Sequence, residues 1–180
     1  MLVEEIMKKL VVGLLLLLGA GQQALAALAM EPQYKLGMVI QGMYIQSVMM
    51  GMDGMDMPEH TLPADASMHL ELRLTADKNN PYQFIEGSWI PYAKIDYRVE
   101  KDGSDFFTSG TLDPMVANDG PHYGANVKLD GVGKYNIKFR ISPPQIMFHI
   151  DKETAARKWW KPFIVEWDLI YTGTGKKGGY

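Results

Sequence analysis

Apolar and polar residues alternate with a period of two along most of this chain. Over Ser67–Thr75, Met68, Leu70, Leu72 and Leu74 project to one side, and Ser67, His69, Glu71, Arg73 and Thr75 to the other. Over Tyr92–Val99, Ala93, Ile95, Tyr97 and Val99 oppose Tyr92, Lys94, Asp96 and Arg98. Tyr135, Ile137, Phe139 and Ile141 alternate with Asn136, Lys138 and Arg140, and Phe163, Val165, Trp167, Leu169 and Tyr171 close the series. This period matches a half-buried β-strand and no helix. It also argues against a parallel sheet, whose strands are buried on both faces and read as continuous apolar runs. Weaker strands are predicted over Tyr34–Ile40, Met43–Val48, Phe106–Leu112 and Asn126–Leu129. Turn signals at Lys101-Asp102-Gly103-Ser104, Asp130-Gly131-Val132-Gly133 and Ser142-Pro143-Pro144 separate them. The pattern predicts one all-β domain, an antiparallel β-sandwich. The only helix it offers is short, at Asp151–Lys158.

The N-terminus is read as a leader. Lys8 and Lys9 precede the apolar run Leu10–Ala20, and two overlapping Ala-Leu-Ala signals follow at Ala24–Ala26 and Ala27–Ala29. Residues 1–29 therefore read as a secretory signal peptide. Glu4 and Glu5 fit that reading poorly, and Met7 would be a better start. The rival is an uncleaved anchor over Leu10–Ala29, but Gly21-Gln22-Gln23 interrupts it and no positive stop-transfer flank follows. The expected mature domain is 30–172, with a frayed tail over 173–180. It is expected to be exported, with no stable membrane insertion after leader cleavage.

Composition removes several kinds of chemistry. The chain has no cysteine, which excludes disulfides, Cys-ligated zinc, iron–sulfur clusters, thiol catalysis and blue-copper centres. Its formal charge of −3, from 18 basic and 21 acidic residues, provides no basic face for nucleic acid. No nucleophile triad, flavin motif or haem motif is visible, so any catalysis would be metal redox.

Ligand-type side chains remain. His69 and Glu71 stand two apart on a predicted strand and project from one face, opposite the Met68/Leu70/Leu72/Leu74 stripe. Either they reach one ion or they form an ordinary solvated face. Asp113–Asn126 (DPMVANDGPHYGAN) reads as a structured loop carrying Met115, Asp119 and His122, a thioether, a carboxylate and an imidazole. Each also has an ordinary reading: a core plug, an Asx-turn and an exposed polar residue. His149 follows Pro143-Pro144 at the border of the predicted helix, which Asp151 would cap. Met43, Met49, Met50, Met52, Met55 and Met57, followed by His60, make a methionine-rich segment interleaved with Gly, Asp and Pro. Two readings stand side by side: a soft-metal recruiting loop, since thioethers suit Cu(I), or an adaptable apolar contact surface.

WIPY (Trp89–Tyr92), MVANDGPHYGANVKLDGVGKY (Met115–Tyr135) and HIDKETAARKWWKPF (His149–Phe163) resemble the periplasmic iron-transport accessory family. That family includes the FetP-type proteins and a treponemal metal-binding lipoprotein. The resemblance runs from about Tyr34 to Tyr171. It implies an immunoglobulin-like sandwich that forms a homodimer, with copper-binding sites near the subunit interface and an inner-membrane iron permease as partner. Carried over by motif, His69, Met115, His122 and His149 are the implied first ligands, and Glu71 and Asp119 fall at additional acidic positions. Copper is the implied metal, with iron as a second candidate. The competing functions are copper handling as a chaperone, a copper-dependent iron oxidase or reductase, and a plain adhesion module. Because imidazole must be neutral to bind a metal, affinity is expected to weaken through about pH 6–7.

Overall fold

The computed structural model describes residues 28–51 and 66–173. Most of the expected leader and tail therefore lie outside the described residues, as do Met52, Met55, Met57 and His60. Nine strands are described: β1 (Leu28–Ala29), β2 (Gln33–Lys35), β3 (Met38–Ile45), β4 (Met68–Ala76), β5 (Lys94–Lys101), β6 (Phe107–Ala117), β7 (Gly120–Val127), β8 (Gly133–Ser142) and β9 (Phe163–Tyr171). All pairings are antiparallel, in the order β1-β3-β4-β7-β6-β5-β8-β9, with β2 also on β3.

The order is continuous because β6 serves two neighbours. Phe107–Leu112 pair with β5, and Asp113–Ala117 pair with β7. The change of partner falls at Asp113-Pro114, where proline withholds a backbone donor. The two outer margins then approach each other. Gln33 Nε2 donates to the Glu166 carbonyl (2.9 Å), Lys35 Nζ to that of Ile164 (3.3 Å), and Trp167 Nε1 to that of Glu31 (2.8 Å). The sheet curls almost into a barrel, closed by side chains rather than by a ladder. This also covers edges that would otherwise template aggregation.

One core fills the curl. Met68, Leu70, Leu72 and Leu74 of β4 are fully buried, and Tyr135, Ile137, Phe139 and Ile141 of β8 pack into the same cluster. Each such aliphatic side chain contributes about 1.5–3 kcal/mol. Tyr123 runs through this core. Its hydroxyl donates to the Ile90 carbonyl (2.8 Å) and accepts from the Ala93 N–H (3.0 Å), which ties the WIPY segment to β7. Burial pushes the Tyr123 phenol up to about 12.

Three expectations are corrected. The predicted helix at Asp151–Lys158 is a single turn, and no helix occurs among the described residues. Asp151 closes that turn by accepting the N–H groups of Glu153 (3.1 Å) and Thr154 (2.8 Å). Asp113–Asn126 is not a loop but a hairpin. Ala117 pairs directly with Gly120, which leaves the two-residue turn Asn118-Asp119 and places Gly120 at φ 112°. Tyr34–Ile40 is broken by a turn at Leu36-Gly37, where both residues have positive φ (54° and 74°).

Candidate metal centre

The strand register gathers the site. His69 and Glu71 of β4 face Asn126 and Gly124 of β7, and His122 of β7 faces Met115 of β6. With a period of two, His69, Glu71, His122, Gly124, Asn126 and Met115 all project from one face of the three strands. This face lies opposite the Leu70/Leu72 core stripe, yet it is not a solvated face. His69, Glu71 and His122 are only 1%, 4% and 2% exposed. The chain leaving β3 accounts for this: Ile45, Val48, Met49 and Met50 line, with the two histidines, a cavity of about 490 Å³.

Within that cavity one ligand atom from each of His69, Glu71 and His122 lies within 4.8 Å of the others. His69 Nε2 is 3.8 Å from Glu71 Oε1. The two imidazoles meet edge to face, with centroids 6.0 Å apart. Met115 joins them over Gly124. A Cβ on Gly124 would stand 2.6 Å from His69 Nε2 and 3.2 Å from the Met115 sulfur. The missing side chain is the concavity in which imidazole and thioether converge.

The hydrogen bonds set both histidine tautomers. The Asn126 amide nitrogen donates to the Val48 carbonyl (2.8 Å), so its oxygen is the acceptor that faces His69 Nδ1 (3.1 Å). His69 Nδ1 therefore carries the proton and Nε2 presents a lone pair. His122 Nδ1 donates to the Gly120 carbonyl (3.2 Å), and its Nε2 is buried with no hydrogen-bond partner. A buried nitrogen without a partner is costly unless a ligand takes it.

Electrostatics point the same way. Burial pushes His69 down to about 4, a fall opposed by its bond to Asn126 and reinforced by the His122 charge. The ring is therefore neutral, as ligation requires. Burial raises the Glu71 carboxyl above its ordinary range. The Asp119 charge adds to this rise, and His122 and Arg73 oppose it. An incoming cation relieves that burial cost.

Four of the six expected ligands thus converge, and two stand apart. Asp119 sits half-exposed on the hairpin turn, where Arg73 Nη2 holds its carboxylate at 2.7 Å. The side chain of His149 is 74% exposed, with Nδ1 2.8 Å from Thr154 Oγ1. Asn126, Gly124 and Arg73 have positions in this site that the sequence analysis did not assign. Only Arg73 had a signal, being the third member of the His69/Glu71 face. A larger hollow of about 650 Å³ lies elsewhere, by Lys101, Lys134, Asn136 and Asp168, and has no histidine or methionine in its wall.

Two buried, tautomer-fixed imidazoles, a buried carboxylate and a half-buried thioether on an all-β frame make up the donor set of a soft-to-borderline metal-binding protein. The chain belongs to the Fe2+ transport protein family, whose sequence model matches residues 24–173. A UPF0423 protein of Brucella abortus is 42% identical over 177 residues, 95% of each chain. The 34 kDa membrane antigen of Treponema pallidum is 35% identical over 111 residues, 58% of this chain and 54% of the antigen. Among solved structures, copper-reconstituted P19 from Campylobacter jejuni is 40% identical with a TM-score of 0.73, covering 81% of this chain and 96% of that one. FetP from uropathogenic Escherichia coli, recombinantly expressed in the periplasm of another E. coli strain, is 39% identical with a TM-score of 0.73, covering 81% and 95%.

Proposed function

We propose that this protein is an exported, periplasmic copper-binding accessory of high-affinity iron uptake that works with an inner-membrane iron permease. The observation that carries the reading is the pair of histidines whose Nδ1 atoms are tied off, so that both Nε2 lone pairs point at one cavity beside the Met115 sulfur. Family membership supports the link to iron, and the copper-bound state of P19 supports the choice of metal. The donors fit copper: His122 Nε2 is a buried nitrogen without a partner, and Gly124 leaves room beside His69 Nε2 and the Met115 sulfur. His69, His122 and Met115 would hold the ion, with Glu71 as the hard oxygen. When bound, copper supplies a one-electron couple, which thioether and carboxylate ligands favour in opposite directions. The chain's own contribution is to keep His69 neutral, hold both rings in register and exclude water from the Glu71 carboxylate.

We place His149 in this scheme through a homodimer of immunoglobulin-like sandwiches. Its neighbours Met147 and Ile150 are exposed apolar side chains, the kind of surface that a second copy covers. His149 of one copy would then complete the site of the other. The test is complementation between variants. His122→Ala and His149→Ala proteins each lose copper affinity, and mixing them restores one intact site per mixed dimer. No recovery on mixing rejects the shared site. The physiological reading is tested by deleting the gene. Impaired growth under iron starvation supports it, and a defect confined to excess copper supports copper handling instead, the reading favoured by Met49 and Met50 at the cavity. Anaerobic mixing of the copper-loaded protein with ferrous or ferric iron tests for turnover.

A further inference from the structure

The described start of the methionine-rich segment opens onto the same cavity as the histidines. Met49 and Met50 line it together with Met115. Met43 stands opposite Glu71 in the β3–β4 ladder, buried but outside the main core cluster. The segment is also held in place. The Asn126 carboxamide takes both backbone groups of Val48, accepting its N–H (3.3 Å) and donating to its carbonyl (2.8 Å). The same carboxamide orients His69. One side chain therefore fixes a histidine nitrogen and the first residue before the two methionines. Packing does not account for Met49, which is 75% exposed.

We propose that Met49 and Met50, with Met115, form a thioether capture site for Cu(I) at the open end of the cavity, distinct from the imidazole site beneath it. Met115 lies at both, so an ion passes between them by exchanging thioether for imidazole, with no change of charge or oxidation state. Thioethers favour Cu(I) over Cu(II) and over hard divalent ions, so the mouth selects the reduced ion before it reaches the histidines.

The inference rests on the copper reading above, and leucine separates the two. The Met49→Leu/Met50→Leu double variant keeps apolar bulk and removes only sulfur. It is compared with the unmodified mature protein in anaerobic stopped-flow transfer of Cu(I) from its bicinchoninate complex, and in equilibrium binding of Cu(II). The expected result is Cu(I) uptake on the order of tenfold slower, with Cu(II) affinity and spectrum unchanged. The single variant Met49→Leu, at the exposed position, is expected to show part of the same slowing. Unchanged Cu(I) kinetics overturn the capture site and leave the histidine site standing. Equal losses for Cu(I) and Cu(II) also overturn it, because they would assign the methionines a structural role. Failure of the unmodified protein to take up copper in either state rejects the parent reading, and this one with it.

Discussion

Among the described residues, histidine occurs in two regions, and they are built in opposite ways. His69 and His122 lie on adjacent strands, where ladder register sets their spacing and backbone or amide acceptors hold their Nδ1 atoms. His149 lies on the irregular stretch between β8 and β9, with its Nδ1 beside a threonine hydroxyl and its ring in solvent. A ladder prepays the ordering of a ligand, since the backbone is fixed whether or not an ion is bound. An exposed turn does not, but it can reach a second molecule. The contrast assigns preorganisation to the first region, and in the proposed dimer the second would supply completion.

The most severe way to break the preorganised region is to fill its concavity. Gly124→Ala puts a carbon where His69 Nε2 and the Met115 sulfur converge. Copper affinity is expected to fall about a hundredfold or more, with the β-sheet circular dichroism retained. Near-normal affinity in a chelator competition would mean that the ligands do not meet over Gly124.

Acid strains the same region through His69. Its folded value, about 4, lies below the ordinary 6.5, so between these two pH values the unfolded chain binds the proton and the folded chain does not. Stability rises with pH where the unfolded state holds more protons. His69 therefore contributes a loss on the order of 2–3 kcal/mol as the metal-free protein is taken from pH 6.5 to 4. Glu71 runs the other way. Its carboxyl is raised, so the folded state keeps a proton that the unfolded state gives up, and its contribution weakens as pH climbs above the ordinary carboxylate range. Denaturant melts of Glu71→Gln isolate the histidine contribution. A flat pH profile in that variant would contradict the burial of a neutral His69. For the His69 nitrogen, competition between proton and metal is therefore expected near pH 4 rather than in the pH 6–7 window of an unperturbed imidazole.

Asn126→Leu sharpens the comparison. It keeps side-chain volume but releases the His69 ring and the Val48 backbone, so His69 comes to resemble His149. Copper affinity is expected to drop roughly ten- to a hundredfold, read by isothermal titration. A loss of thermal stability with unchanged affinity would make Asn126 purely structural.

Arg73→Gln should have the smallest effect on the fold. The Arg73–Asp119 pair is partly exposed, so its loss is expected to cost less than about 1 kcal/mol. The binding readout is more telling: with Arg73 removed, Asp119 is free to turn toward Glu71, and Mn2+ binding followed by electron paramagnetic resonance is expected to strengthen. No change would mean that Arg73 does not hold Asp119 back.

Much of the fold was legible from side-chain periodicity, least ambiguously at Phe163–Tyr171, where the predicted and observed strand coincide. Legibility failed where backbone conformation departs from residue habit. Leu36 sits at positive φ, a state its side chain disfavours and no composition rule marks. Two prolines and two glycines made Asp113–Asn126 look like a loop, yet Pro114 is accommodated where β6 changes partner and Gly120 opens the hairpin. The helix-favouring Ala155-Ala156-Arg157 yielded only one turn, too short to propagate. For the site, the ligand types and their motif were readable, but the burial of the His69 face was not. Alternation says which side a residue takes, not what covers that side.

The sequence by itself determined an antiparallel all-β chain, the His69/Glu71 pair on one strand face and a thiol-free, methionine-rich ligand supply, because these depend only on local period and residue chemistry. Only the tertiary structure decided that His122 and Met115 sit across a hairpin rung, that Gly124 makes room between Met115 and His69, that Asn126 fixes one tautomer, and that Arg73 holds Asp119 aside. Each of these depends on strand register and on which segment roofs which face. Such long-range packing choices leave no periodic trace in the chain.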